Sequence, residues 1–287
     1  MTLLERVLEP GQLSVLFQPI LRHDGAGWHL HAFEGLVRGP AETNVSTPEV
    51  LFAYARRKRA EAAVDKACVR AILEAAVPLG PDAYVNINVH GITLEQDLSF
   101  VAQVAELLDF MRVAPSRLTL EIVEHSASTC GARFGSALAA LRGLGVRIAL
   151  DDIGLGQSNY RMIIETRPDF FKIDRYLIAG CARDAYKRAI VGSIGHLAHS
   201  LDAYAVAEGV ENVQDLSAVV SEGVETIQGY LLALPRGAGA LGPSGAVAMA
   251  ARLLPSVGEP MWADCGDWLT LAAQLRADPI TDDFRTA

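Results

Sequence analysis

No apolar run in the sequence approaches the ~20 residues needed to cross a bilayer. The first ten residues carry Glu5, Arg6 and Glu9 where a signal peptide would have an apolar core. Cysteine is scarce: Cys68, Cys130, Cys181 and Cys265 are far apart and form no CxxC pair, which argues against a thiolate metal site or a disulfide scaffold. Positive charge is in deficit, with 25 Lys and Arg against 34 Asp and Glu and a formal net charge of −9. Duplex nucleic-acid binders present a basic face, so that class is disfavoured. The chain is expected to be soluble and cytoplasmic with reduced thiols. An anionic ligand stays possible, because carboxylates gathered around a divalent ion attract phosphate once the ion is bound.

Other signals are weak. His196 and His199 lie three apart with no third ligand nearby in sequence, and read as ordinary surface or core histidines. Gly154-Leu155-Gly156 lacks the third glycine of a dinucleotide-binding loop and follows an Asp pair. The run Arg56-Arg57-Lys58-Arg59 sits in a helical pattern and reads as a solvated face or partner contact.

What the sequence does hold is strand–helix alternation. Eight β-rich runs cover residues 14–20, 31–38, 83–89, 118–124, 147–153, 170–174, 203–208 and 226–232. Helical spacing of Ala, Leu and Val fills residues 48–77, 94–110, 132–144, 185–201 and 213–222. The pattern predicts an α/β fold, a (β/α)8 or TIM barrel. Residues 21–30 are too few for a helical crossover and contain Asp24-Gly25, a hairpin signal, so the first strand pair should be antiparallel. A Gly-rich break follows Pro235. The barrel is expected over residues 1–240, and residues 241–287 form a helical extension (helix at 247–254) with an acidic tail.

Polar residues interrupt the apolar strands. Glu34, Asn86, Glu121, Asp151, Asp152, Lys172, Asp174, Glu208 and Gln228 sit in or at the ends of seven successive strands. Buried carboxylates are costly unless paired or metal-bound, and the C-terminal ends of barrel strands line the active site. Oxygen ligands without His or Cys favour hard ions such as Mg²⁺ and Mn²⁺. Adjacent Asp151 and Asp152 could serve two metals, as in two-metal phosphoester hydrolysis. Lys172 could orient a water, and Arg38 could grip a phosphate through two parallel hydrogen bonds.

Phe17-Gln18-Pro19-Ile20 and Glu34-Gly35-Leu36-Val37-Arg38 resemble the opening signatures of the EAL cyclic-di-GMP phosphodiesterases. Val85-Asn86-Ile87-Asn88, Leu120-Glu121-Ile122-Val123-Glu124 and Asp151-Asp152-Ile153-Gly154-Leu155-Gly156-Gln157-Ser158 resemble that family's next elements. Lys172-Ile173-Asp174, Glu208-Gly209-Val210-Glu211 and Gln228-Gly229-Tyr230 complete the series in order, over about residues 12–235.

The resemblance implies a modified barrel with one antiparallel strand, and hydrolysis of cyclic di-GMP to linear pGpG. It places Glu34, Asn86, Glu121 and Asp151 on a first metal, and Asp151, Asp152 and Glu208 on a second. Lys172 assists the water, with Glu208 and Glu34 completing the catalytic set. Gln18, Leu36, Arg38, Asp174, Glu211 and Gln228 line the substrate site, and Glu124 anchors the loop after Asp152. It also implies a homodimer, inhibition by Ca²⁺, and a possible sensor domain or partner protein.

Four positions depart from the family pattern. Gly35 stands for Ala, a change expected to be harmless; Val123 stands for Thr, Ile153 for Phe and Gln157 for Tyr. The last three bear on the loop after Asp152 and keep a second reading open, a non-catalytic cyclic-di-GMP receptor.

Overall fold

Eight strands close into a barrel in chain order: β1 (Ser14–His23), β2 (Trp28–Arg38), β3 (Val85–His90), β4 (Leu118–Val123), β5 (Arg147–Ile153), β6 (Phe170–Ile173), β7 (Tyr204–Ala207) and β8 (Thr226–Ile227). This computed structural model describes residues 1–24, 27–123, 131–154 and 159–241. Glu124, Gln157, Cys130, Cys265 and the expected extension from residue 242 onward, its helix included, lie outside the described residues.

β1 runs antiparallel to both β2 and β8, and every other neighbouring pair is parallel. The hairpin arms are longer than the sequence pattern suggests. Leu21 and Arg22 pair with Ile227 and Thr226 to close the barrel, which carries β1 on to His23. β8 is correspondingly short. After Gln228 the chain turns at Gly229, where an added Cβ would overlap the Val210 carbonyl oxygen.

Helices α1 (Leu3–Leu8), α2 (Pro48–Lys58), α3 (Glu61–Ala76), α4 (Gly91–Gln96), α5 (Phe100–Met111) and α6 (Ala132–Leu144) occur in the first half. The second half adds α7 (Asn159–Thr166), α8 (Arg175–Ile178), α9 (Ala185–Ser200), α10 (Val213–Ser221) and α11 (Ala238–Leu241). The single helix expected over 48–77 is two. Arg59 adopts φ 51°, a left-handed cap that ends α2 before α3 begins. The segment expected at 94–110 is likewise split, since the Asp97 carboxylate accepts the Ser99 N–H (2.9 Å) and so favours a turn over a helix. Among the described residues no helix is long and apolar enough to cross a membrane.

Alternation along the strands sorts the side chains into two cores. Phe33, Ile87, Leu120, Ile122, Ile148, Leu150, Phe171 and Ile173 belong to one large cluster with helix residues such as Ile72, Leu94, Phe134 and Val191. Each fully buried Leu, Ile or Phe there contributes about 1.5–3 kcal/mol. The opposite parity faces the barrel axis, where Ile20, Ala32, Ala149, Phe170 and Val206 form a small separate apolar layer. One inward step further along the same strands stand Gln18, Glu34, Asp151, Lys172 and Glu208. That layer is polar, and it is the one exposed to the C-terminal mouth.

Candidate active site

Lys172 stands at the centre of this layer and is 2% exposed. Its Nζ lies 2.6 Å from Glu121, 2.6 Å from Glu208, 3.4 Å from Asp151 and 3.8 Å from Glu34. The positions follow from barrel register. Glu34 of β2 pairs with Gln18 of β1 on one side and Asn86 of β3 on the other, and Glu121 of β4 pairs with Asn88. Amide side chains then tie the carboxylates down. Asn86 donates to Glu121 (2.8 Å), Asn88 to Glu34 (2.7 Å), and Gln228 to both Glu34 (2.5 Å) and Gln18 (3.0 Å).

Four carboxylates around one ammonium leave an excess of negative charge in a largely buried site. Burial pushes the Glu121 carboxyl up to about 8; Lys172 opposes this, while the charges of Glu34 and Asp151 add to it. Burial likewise raises Glu208 well above the usual carboxylate range, against the pull of Lys172. Glu34 behaves differently: burial disfavours its charge, but Lys172 and the amides of Gln228 and Asn88 hold its pKa below the usual range. For Lys172 burial is outweighed by Asp151, Glu121, Glu208 and Glu34, so it stays protonated.

Asp152 takes φ 55°, a left-handed conformation that Asp tolerates better than most residues. Loss of solvent and the charges of Asp151 and Asp174 push its carboxyl up to about 6. Oxygens of Asp151, Asp152 and Glu208 lie within 4.8 Å of one another. The buried acceptors Asn88 Oδ1 and Gln228 Oε1 receive no hydrogen bond among the described residues, and Asp151 Oδ1 has only the Lys172 ammonium at 3.4 Å. Excess carboxylate, oxygen-only donors and orphaned acceptors fit a hard divalent cation.

A cavity of about 500 Å³ opens above the Asp pair. Asn88, His90, Val123, Asp151 and Asp152 line it from the ends of β3, β4 and β5, together with Leu36 of β2 and Phe52 and Arg56 of α2. Asn88 therefore reaches the cavity that Asn86 lies beneath. The sequence reading passed over Asn88, although its two-residue spacing from Asn86 puts both on the inward face. A second residue it missed is Asp65, fully buried in α3, which accepts the His90 backbone N–H (2.9 Å), His90 Nδ1 (2.9 Å) and the Thr93 hydroxyl (2.6 Å). It pins His90 to the cavity wall. No local pattern marks that contact, which spans 25 residues.

The remaining expected residues are more scattered. Gln18 belongs to the buried network, also donating to the Ala233 carbonyl (3.1 Å), and Leu36 lines the cavity. Arg38 donates to the Val37 carbonyl (3.0 Å) and does not line that cavity. Asp174 caps α8, accepting the Tyr176 N–H (2.6 Å), and Glu211 pairs with Arg175 (2.8 Å) at the solvent-exposed rim.

The family model for the EAL domain matches residues 2–235. The cyclic di-GMP phosphodiesterase PdeF of Escherichia coli K12 is 34% identical over 137 residues, covering 48% of this chain and 18% of the relative. The probable cyclic di-GMP phosphodiesterase PdeA of the same organism is 28% identical over 234 residues, covering 80% of this chain and 31% of the relative. The chain thus spans less than a third of either. The structure of Klebsiella pneumoniae BlrP1 with manganese and cyclic di-GMP superposes with a TM-score of 0.68 at 27% identity, covering 80% of this chain and 58% of that one. With the match running through every strand of the barrel, the chain belongs to the EAL domain family.

Proposed function

We propose that this chain hydrolyses cyclic di-GMP to linear pGpG, using two divalent ions, Mg²⁺ or Mn²⁺. The observation that carries the reading is the buried ring of Glu34, Glu121, Asp151 and Glu208 around Lys172, beside acceptors with no donor. A site that only recognised a ligand has no need of so costly a cluster. The names of the relatives and the BlrP1 complex support the substrate.

Glu34, Glu121, Asp151 and an asparagine would hold one ion, and Asp151, Asp152 and Glu208 the other. Asn88 suits the asparagine position better than Asn86, which serves Glu121 from below. Bound there, the ions lower the proton affinity of a water and neutralise the phosphate under attack. Lys172, fixed by Glu121 and Glu208, donates a hydrogen bond that orients the water toward phosphorus. Water adds to one phosphodiester, the 3′ oxygen leaves, and the 5′ phosphate remains on the product. Gln18 and Gln228 keep Glu34 in register, and Leu36 packs against the ligand. Arg38, Asp174 and Glu211 contact it from the rim, Arg38 after leaving the Val37 carbonyl.

Residues 1–240 are proposed to be the folding unit. Exposed Tyr160 and Ile164 of α7, 78% and 71% accessible, support a homodimer through that face; a monomer by sedimentation with metal and ligand present would contradict it. Incubation with cyclic di-GMP and Mn²⁺ or Mg²⁺, followed by chromatography, should yield pGpG. Chelation or replacement by Ca²⁺ should stop it, because the longer, looser coordination of Ca²⁺ misplaces the water. Tight binding of cyclic di-GMP with no pGpG under either ion would support the receptor reading instead.

A further inference from the structure

Five residues of α2 line the cavity, Pro48 at the helix start and then Glu49, Phe52, Ala53 and Arg56. The last four, spaced three, four and seven from Glu49, form one stripe of the helix. In the run Arg56-Arg57-Lys58-Arg59 only Arg56 lines the cavity, so it departs from the solvated-face reading that suits the other three. Arg56 is also the one guanidinium or ammonium lining this cavity among the described residues. Neither Glu49 nor Arg56 has a side-chain hydrogen bond or ion pair among the described residues, and both are solvent-exposed. Phe52 is half-buried between them, its ring 4.9 Å from that of His90.

We infer that the α2 wall of the cavity reads a guanine base, with Arg56 donating to O6 and N7, Glu49 accepting from N1–H and the N2 amino group, and the base lying on Phe52. This rests on the cyclic di-GMP reading and names residues that no motif of that reading includes. The chemistry is complementary at both edges. A guanidinium offers two parallel donors to the paired acceptors of guanine, and a carboxylate offers two acceptors to its donors. Seven residues of helix separate Glu49 from Arg56 by about 10.5 Å along the axis. Both side chains are long and rotatable, so their tips can close on the two edges of one base set over Phe52. Adenine inverts the pattern: its amino group would meet Arg56, and its N1 would face the Glu49 carboxylate without a proton to share.

The test is calorimetric titration of the full chain with cyclic di-GMP and with cyclic di-AMP, Ca²⁺ being present to prevent turnover. Wild type should prefer cyclic di-GMP. Arg56→Ala and Glu49→Ala should each weaken cyclic di-GMP binding about tenfold, the low end for a charge-assisted hydrogen bond at an open site. Cyclic di-AMP should be affected far less, so the preference collapses. Both positions are exposed, and unchanged melting temperature and Mn²⁺ binding would show that fold and carboxylate site survive. If wild type prefers cyclic di-GMP and both variants keep that preference, the base-reading assignment is wrong while the substrate reading stands. Equal weakening for both dinucleotides would reduce Arg56 to a general phosphate contact and also overturn it. Wild type binding neither dinucleotide would overturn the substrate reading and this assignment with it.

Discussion

The two mouths of the barrel are made by the same strands and carry opposite charge. β5 shows this within one strand: its inward residues run Arg147, Ala149, Asp151 from the N-terminal to the C-terminal end. At the N-terminal mouth the cations lie on aromatic faces. Arg22 is 3.7 Å from the Tyr204 ring centre, and Arg147 is 4.6 Å from Tyr84 and 5.6 Å from Phe170. His31 packs against the same Phe170 at 5.3 Å. At the C-terminal mouth four carboxylates share one ammonium, and acceptor oxygens are left over. One end sets its cations on aromatic faces, with Arg22 Nε left without a hydrogen bond among the described residues, and gathers no excess of like charge. The other is unsatisfied without a cation and is kept at a cost to stability.

That contrast breaks most sharply at the carboxylates. Glu34→Ala and Asp151→Ala should each remove metal binding and lower turnover at least about a thousandfold, as calorimetry with Mn²⁺ and product chromatography would register. In chelator, Asp151→Asn should melt no lower than wild type, because it relieves like-charge repulsion. A clear drop in its melting temperature would mean the cluster is structural.

At the other mouth the next largest effect is acid sensitivity. Burial, with Arg147 and Arg22 nearby, pushes the His31 pKa down from 6.5 to about 4. The unfolded chain therefore binds this proton first as pH falls. The stability from a neutral His31 is complete above pH 6.5 and is lost as pH drops toward 4, by at most about 3 kcal/mol. Denaturant unfolding of wild type and His31→Gln across that window should show wild type losing stability relative to the variant as pH falls, the difference between the two curves reporting His31.

Gly35 gives a smaller effect. An added Cβ would overlap Cγ2 of buried Ile72, so α3 already fills the space of the missing methyl. Gly35→Ala should cost about 1–3 kcal/mol by overpacking. A double-mutant cycle with Ile72→Ala should recover part of it. Smallest is Arg147→Ala, which loses its aromatic contacts and its bonds to the Ser116 carbonyl (3.1 and 2.9 Å). A loss of about 1 kcal/mol with turnover unchanged is expected. Lost turnover at intact stability would erase the division between the two mouths.

The carboxylate mouth was more legible in the sequence than the aromatic one, for a physical reason. Glu34, Glu121, Asp151, Lys172 and Glu208 violate the apolar pattern of their strands, so each marks itself locally. Strand alternation then puts them on one face, and closure of the barrel brings them together. Tyr84, Arg147 and Tyr204 sit at strand starts, where polar and aromatic residues are unremarkable, and their pairing appears only when the barrel closes. Asn88 was overlooked beside Asn86 because alternation gives a face but not a depth. Asp65 lies in a helix, where one acid looks like any solvated one until its three donors are seen. The Ile72 methyl in the space beside Gly35 depends on how closely α3 packs on β2, which no local pattern encodes.

The measurement that bears most directly on the central claim is single turnover by Lys172→Ala with cyclic di-GMP and Mn²⁺. If Lys172 positions the water and the carboxylates hold the ions, the variant should bind cyclic di-GMP within a few-fold of wild type. Its pGpG formation should then be slower by at least about a thousandfold. Turnover at the wild-type rate, or loss of the ligand together with the rate, would contradict that division of roles.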